Sequence, residues 1–434
     1  MLTRSFPITD YSKEYGSLMQ FNKNKTAFIH QWYPFVEGYS RDFIHTVVNE
    51  INYNPRNALD MFSGSGTTPV ELQYLGIPCH SIEVSPFMHL LTTVKMNRGY
   101  KVKEFDEILS KFKNRFNSFK GDIRTELNSP VYKTIEPRSG IDKYVFNKAV
   151  MTTLLKIKFH INQMNNSQYK NLFKIAFASI LLEVSNLYRN GKCLSYKKEW
   201  EFKRPKESTV LGKFYDQLER IIRPDIDRIE IINSGGGNML NNVSNCYHGD
   251  ARELLKRLPN NSVDLVITSP PYLNSRDYTD IYMIEIWMLD LVKNYSEVRE
   301  LRKSTLRSHV QVTHGDIECL KIELLERTLK KIEKNKEDYW DRGLNSMIKG
   351  YFKDMDILFN ELRSKMQPKK SIYFNIANSA YFGVEIKVDE IICEIAETRG
   401  FKVREIREAR KLKPSVQQRA KIKGLRESVI VMES

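Results

Sequence analysis

A short apolar run, Ala58-Leu59-Asp60-Met61-Phe62, breaks into Ser63-Gly64-Ser65-Gly66-Thr67-Thr68 and resumes as the helical pattern Val70-Glu71-Leu72-Gln73-Tyr74-Leu75, closed by Gly76. This pattern constrains the fold more than any other, because it delivers a strand into a helix through a turn whose positive φ glycine adopts without a clash. A second strand follows at once, Cys79-His80-Ser81-Ile82-Glu83-Val84, and Pro86 opens another helix. Two strands joined by a helix within about thirty residues make a βαβ unit, so a parallel α/β sheet is expected.

From about Tyr100 to Ile232 the pattern is mostly helical and basic. It ends in the run Asn233 to Asn242, where Gly235, Gly236 and Gly237 sit among amides and resist both helix and strand. Strand signals then return at Cys246-Tyr247-His248, followed by Gly249-Asp250, a helix over 251–258, and the strong strand Val263-Asp264-Leu265-Val266-Ile267-Thr268. Further strands are expected over 371–376, 401–406 and 428–432, with a helix over 388–398 and a mainly helical, charged region over 280–366. Three parts result: 1–100 as an N-terminal segment and first part of the core, 101–240 as a helical insertion, and 241–434 as the rest of the core.

Charge adds a partner class. The chain carries 68 Lys+Arg against 53 Asp+Glu, a net +15, which suits a polyanion because binding phosphates releases their counterions. Residues 101–240 hold 26 Lys+Arg and 16 Asp+Glu, and residues 399–426 hold eleven Lys/Arg against only Glu405 and Glu408. The first block is the candidate for DNA recognition, beside the plainer reading of a helical cap with a solvated face. Five dispersed cysteines form no CxxC pair, so neither a disulfide framework nor a zinc site is expected. No metal is expected. The richest apolar stretch, 173–187, is broken by Lys174, Ser179, Glu183 and Ser185, so no membrane association is expected. A cytoplasmic location follows as the expectation.

Two turns carry candidate chemistry. In the first, Gly64 and Gly66 let a ligand approach the backbone, and the helix that follows offers free N–H groups. No Lys-Ser/Thr follows, which disfavours a triphosphate loop. Glu83 lies 17 residues beyond Gly66, a spacing that suits a carboxylate accepting from ribose hydroxyls. In the second, Thr268-Ser269-Pro270-Pro271-Tyr272 ends a strongly apolar strand. Two prolines stiffen the turn and remove two donors. A polar side chain, a rigid carbonyl and a ring in sequence suit a planar group that bears an amine. Each turn alone also fits a tight turn without a ligand.

Together the two motifs resemble the DNA amino-methyltransferases, which use S-adenosylmethionine to methylate exocyclic nitrogens of adenine or cytosine. Their cofactor loop reads Phe-x-Gly-x-Gly, here Phe62 to Gly66, and their catalytic turn Asp/Asn/Ser-Pro-Pro-Tyr, here Ser269 to Tyr272. The likeness is good over 55–100 and 245–290, moderate over 371–432, and nearly absent over 101–240. It implies a Rossmann-like class I methyltransferase core, α/β with a mostly parallel seven-stranded sheet and a large, mainly helical insertion.

By position, the resemblance implies that Asp60 sits beside the methionine amino group of the cofactor and that Phe62, Gly64 and Gly66 form the loop beneath it. Thr67 and Thr68 lie near its carboxylate, Glu83 holds the ribose, and Asp250 faces the adenine amino group. Ser269 and the Pro270 carbonyl accept from the target amine, Pro271 stiffens the turn, and Tyr272 stacks on a flipped base. The aromatic lead-in Trp32 to Phe35 corresponds to a segment closing over the cofactor. Arg276-Asp277-Tyr278, just after the second turn, is a candidate contact for the base or its neighbours, beside the equal reading of an ordinary loop salt bridge. Within the family, serine at position 269 leans toward cytosine N4, with adenine N6 as the alternative. The implied partner is double-stranded DNA, with a cognate restriction endonuclease as a candidate second partner. The implied setting is prokaryotic and nucleoid-associated. An RNA nucleobase methyltransferase and a catalytically silent nucleic-acid-binding scaffold are the competing readings.

Overall fold

The complete burial of Val263–Thr268 sets the centre of the molecule. Leu265 and Ile267 pack into one apolar cluster and Val266 into another, as alternate residues of a strand covered on both faces must. The computed structural model describes residues 5–35, 37–121, 123, 143–190, 193–203, 205–235, 244–273, 277–310, 317–335, 343–415 and 418–434. Its main sheet contains β1 Ile8–Asp10, β2 Ala58–Asp60, β3 Cys79–Glu83, β4 Asn245–His248, β5 Val263–Thr268, β6 Met366–Ala377, β7 Lys402–Leu412 and β8 Leu425–Glu433. The order across the sheet is β1-β7-β8-β6-β5-β2-β3-β4. Neighbours run parallel except where β8 lies antiparallel between β6 and β7.

Seven strands are expected from the sequence and the sheet has eight. The additional one, β1, is three exposed residues paired to Ile406–Glu408 of β7, too short and too polar to leave an apolar signal. Strands β7 and β8 also run well past their expected ends. Their added residues alternate charges that pair across the strands, as in Arg410 with Glu427, so hydropathy alone understates them. The helix expected over 251–258 is one α-turn, Ala251–Leu254, continued as a 3-10 turn to Arg257. The helix expected over 388–398 spans Val388–Thr398.

Helices relevant to the site are α1 Arg41–Glu50, α2 Thr67–Tyr74, α3 Pro86–Met96, α4 Val102–Ser118, α5 Lys148–Asn162, α6 Ser167–Val184, α7 Glu207–Asp216, α8 Arg223–Ser234, α9 Leu344–Lys365 and α10 Val388–Thr398. Phe43, Ile44 and Val47 of α1 pack with Leu265 and Ile267 on one sheet face. Helices α9 and α10 pack with Val266 and Ile372 on the other. Helices α4 to α8 share one apolar core with α3, through Phe105, Phe173 and Phe214 against Leu91 and Val94. The triple-glycine run lies outside the described residues apart from Gly235, and so does 124–142 of the basic segment. Among the described residues no helix is long and apolar enough to cross a membrane. Nor, among them, do three or more His, Cys, Asp or Glu come together as a metal site.

Candidate active site

Strands β2 and β5 are neighbours, with Ala58 opposite Leu265 and Leu59 opposite Val266. The chain leaves β2 for β3 and β4 and returns on the other side of β2 as β5. Where strand order reverses in this way, the loops leaving two adjacent carboxyl ends part and open a crevice. Here that crevice is a cavity of about 1420 Å³. Phe62, Gly64, Thr67, Thr68 and Glu83 line one part of it, and Ser269, Pro270, Pro271 and Tyr272 another, with Asp250 also in the wall. Asp60 and Gly66 are buried outside this lining. Arg276 lies outside the described residues, while Asp277 and Tyr278 are in the wall.

The glycine turn is held from behind. Gly64 has φ +50° and Gly66 φ +81°. A Cβ on Gly66 would stand 2.9 Å from Thr92 Oγ1 and 3.2 Å from Thr92 Cα, so space and backbone both require glycine there. Thr92 donates to the Gly64 carbonyl at 3.0 Å and the buried Lys95 ammonium to the Ser65 carbonyl at 3.0 Å. Glu83 accepts the Gly64 N–H and the Ser85 N–H, each at 2.8 Å. One N–H on each oxygen leaves further lone pairs for a ligand. Burial pushes the Glu83 carboxyl up to about 7 against those two bonds, and nearby Asp60 adds to the rise. Burial likewise lifts Asp60 to about 6, opposed by hydrogen bonds from Thr268 and Phe62.

Asp60 ties the two halves of the site together. Its Oδ1 accepts from Thr268 Oγ1 at 2.8 Å and from the Phe62 N–H at 3.1 Å, so the last residues of β2 and β5 are bonded directly. Gly66 ends the turn without a capping side chain, which leaves the first N–H groups of α2 to other acceptors. Asp250 is already engaged. It accepts the Arg252 N–H at 2.9 Å and its guanidinium at 2.6 Å, and Arg252 also pairs with buried Asp354 at 2.7 Å.

In the Ser269–Tyr272 turn, Tyr272 donates its hydroxyl to Glu427 at 2.7 Å and accepts from Asn375 Nδ2 at 2.9 Å. Burial, and then the Glu427 carboxylate, hold this phenol well above its usual range, so the ring stays neutral and fixed at one edge. Asn375 also reaches Ser269 Oγ at 3.5 Å. Tyr351 donates to the Pro271 carbonyl at 3.0 Å, so that carbonyl is used for anchoring.

The lead-in divides in two. Trp32 Nε1 and the Ile29 N–H each donate to buried Asp225 of α8 at 2.8 Å, and Tyr33 donates to Glu285 at 2.6 Å. Phe35 alone of the aromatics at 32–35 lines the cavity. It stacks on Tyr282 at 6.0 Å and lies 3.4 Å from where a Gly64 Cβ would be. Sequence reading gave no role to Asn375, Glu427 and Arg410, and named Thr268 in the second turn without a partner for its hydroxyl. Their only signal is position at a strand end, and for Glu427 and Arg410 that signal is read correctly only once the reversed direction of β8 is known.

Comparison with known proteins places this architecture. A Type II methyltransferase of Geobacillus stearothermophilus, M.BsoBI, is 27% identical over 433 residues, covering 89% of this chain and 81% of the relative. M.AvaI of Nostoc sp. is 25% identical over 417 residues, covering 90% and 82%, and M.MvaI of Kocuria varians is 22% identical over 409 residues, covering 89% and 84%. The chain is a relative of the Type II methyltransferases. The similarity spans nearly all of it, the 101–240 segment included, where the family motifs are silent. No family model and no solved structure matches the chain.

Proposed function

We propose that this chain is a site-specific DNA methyltransferase of a restriction–modification system, with a Rossmann-like class I core. It moves a methyl group from S-adenosylmethionine to the exocyclic amine of a base flipped out of duplex DNA, with cytosine N4 favoured over adenine N6. The observation that carries this reading is the junction of two turns, remote in sequence, at bonded neighbouring strand ends of one cavity.

The residues present fit the cofactor. A left-handed glycine turn, an uncapped helix start and two buried carboxylates suit a ligand with hydroxyls, a carboxylate and positive charge. Gly64, Thr67 and Thr68 would meet its amino-acid end, Glu83 its ribose, Asp250 its adenine, and Asp60 would offset its positive charge from behind the lining. When bound, S-adenosylmethionine supplies an electrophilic methyl group on a sulfonium.

The chain's own residues supply orientation and electrostatics. An exocyclic amine is a weak nucleophile because its lone pair is delocalised into the ring. Ser269 Oγ and the Pro270 carbonyl, accepting its two N–H bonds, favour a pyramidal nitrogen whose lone pair is free to attack. Tyr272, with its hydroxyl clamped by Glu427 and Asn375, offers a fixed face on which an extruded base stacks. Residues 101–240 remain the candidate for reading sequence beyond the target base, and a cognate restriction endonuclease would share that DNA site.

Expression in a host lacking the modification, followed by mass spectrometry of its digested DNA, tests the reading. N4-methylcytosine is expected; N6-methyladenine would revise the base, and label transferred to tRNA alone would reject DNA as substrate. Tyr272→Ala is expected to lower turnover at least a hundredfold while leaving S-adenosylmethionine affinity within about threefold, since the ring acts on the base. Near-normal turnover in that variant would remove Tyr272 from the mechanism.

A further inference from the structure

None of the described residues of 101–240 lines the cavity, although that segment carries most of the chain's excess charge. The cavity wall is instead continued by the loop between β7 and β8, which contributes Lys413, Pro414, Gln418 and Lys421 to the same lining as the Ser269–Tyr272 turn. This loop belongs to the second basic block of the sequence. The block's arginines within strands are largely spent on acids, Arg407 on Glu50 and Glu405, Arg410 on Glu427, and Arg426 on Asp389. The loop differs: Lys413, Arg419, Lys421 and Lys423 are exposed, and no ion pair joins them to an acid among the described residues.

The loop is also held in place. Gln418 Oε1 accepts the Gly383 N–H at 2.6 Å, which docks the loop on the hairpin formed by Ser379–Tyr381 and Val384–Ile386. Gly383 has φ +75°, and a Cβ there would collide with Lys421 Cδ. The lysine stem therefore crosses the backbone where only glycine leaves room. A stem laid across a fixed turn, with its ammonium outside, has lost part of its rotamer freedom before any partner arrives.

We propose that Lys413 and Lys421 in the cavity wall, with the exposed Lys423 two residues further on, form the phosphate clamp of the enzyme, gripping the DNA backbone beside the flipped nucleotide. The inference rests on the DNA reading above and adds which surface makes the contact. Backbone contacts of this kind fix register without reading sequence. They place the extruded base over the Ser269–Tyr272 turn, while helices remote from the cavity are left to act elsewhere on the duplex.

The test is fluorescence anisotropy of the full chain, with S-adenosylmethionine bound, on a mixed-sequence 40-base-pair duplex at several salt concentrations. K413Q/K421Q/K423Q is expected to weaken binding at least tenfold at about 100 mM salt. It is also expected to flatten the slope of log affinity against log salt by about 2 to 3, near 0.9 for each phosphate that the variant no longer neutralises. Melting temperature and S-adenosylmethionine affinity are expected to stay unchanged. Gly383→Ala keeps every charge but displaces the Lys421 stem, and is expected to weaken binding in the same direction by a smaller factor. A triple variant with wild-type affinity and slope, in a wild-type enzyme that methylates DNA, overturns the clamp alone. A wild-type enzyme that transfers no methyl to any DNA overturns the function reading instead.

Discussion

In the proposed function the Glu83 carboxylate has two roles that pull on its protonation in opposite directions. Packed behind the glycine turn it is buried, and burial raises its carboxyl to about 7. Serving a ribose, it needs to be the anion, since only the anion accepts on every lone pair. The unfolded chain has this group near its ordinary value of 4.5. The folded, ligand-free protein therefore binds more protons between about 4.5 and 7. Stability from this group is full below the lower value and is lost as pH rises through the upper one. Cofactor affinity runs the other way. Calorimetric titration of S-adenosylmethionine from pH 5.5 to 8.5 is expected to show affinity rising through about pH 7 and levelling above it. Glu83→Gln should be weaker at high pH and nearly flat, apart from a residual slope from Asp60, which titrates near 6. An unchanged pH profile in that variant would free Glu83 of any contact with the cofactor.

At the scale of elements, the lead-in before α1 explains why some of this site was legible in sequence and some was not. The aromatic run at 32–35 pointed to a closing segment, yet Trp32 and Tyr33 are buried as anchors and Phe35 is the residue that reaches the cavity. Periodicity cannot tell these apart, because their roles depend on Asp225, about 190 positions later. That carboxylate receives the Ile29 N–H, Gln31 and Trp32 together, and it holds Ile29 at φ 65°, an unfavourable backbone for a β-branched residue. Asp225→Ala leaves two buried donors unpaired and relaxes that turn, at a cost of about 2–4 kcal/mol. Urea unfolding should record that loss, and S-adenosylmethionine affinity should fall with it as Phe35 loses its position over Gly64. Full stability in the variant would mean that the lead-in is held by apolar packing alone. Glycine turns and Pro-Pro-Tyr announce themselves locally, whereas an anchor of this kind exists only in the folded chain.

Over the whole molecule, the sequence marks the two strands that end at the candidate site, and the functional reading depends on the expectation that they end side by side in one sheet, which the pairing of β2 with β5 bears out. The strong apolar pattern of β5 and the glycines after β2 mark each strand, but roughly two hundred residues separate them, and a sheet order is needed to make them neighbours. The contributions of β6 and β8 were less visible still. Asn375 reads as a polar residue near the end of an apolar strand. Glu427 reads as an acid preceding one, and it reaches the site because β8 runs antiparallel and starts where the parallel strands stop. The joint at the centre of this arrangement is the buried bond from Thr268 to Asp60 at 2.8 Å. Two strand ends joined through such a bond behave as one unit, so substitutions there should not add. Thr268→Val takes the β5 hydroxyl away from the Asp60 carboxylate, Asp60→Asn weakens the same bond from the other side, and each should cost about 1–3 kcal/mol. The double variant should cost less than the sum by about 1 kcal/mol or more, because the second change removes a bond that the first has already broken. Denaturation of the four proteins gives the coupling directly, and strict additivity would show that the glycine turn and the Ser269–Tyr272 turn are held in place independently.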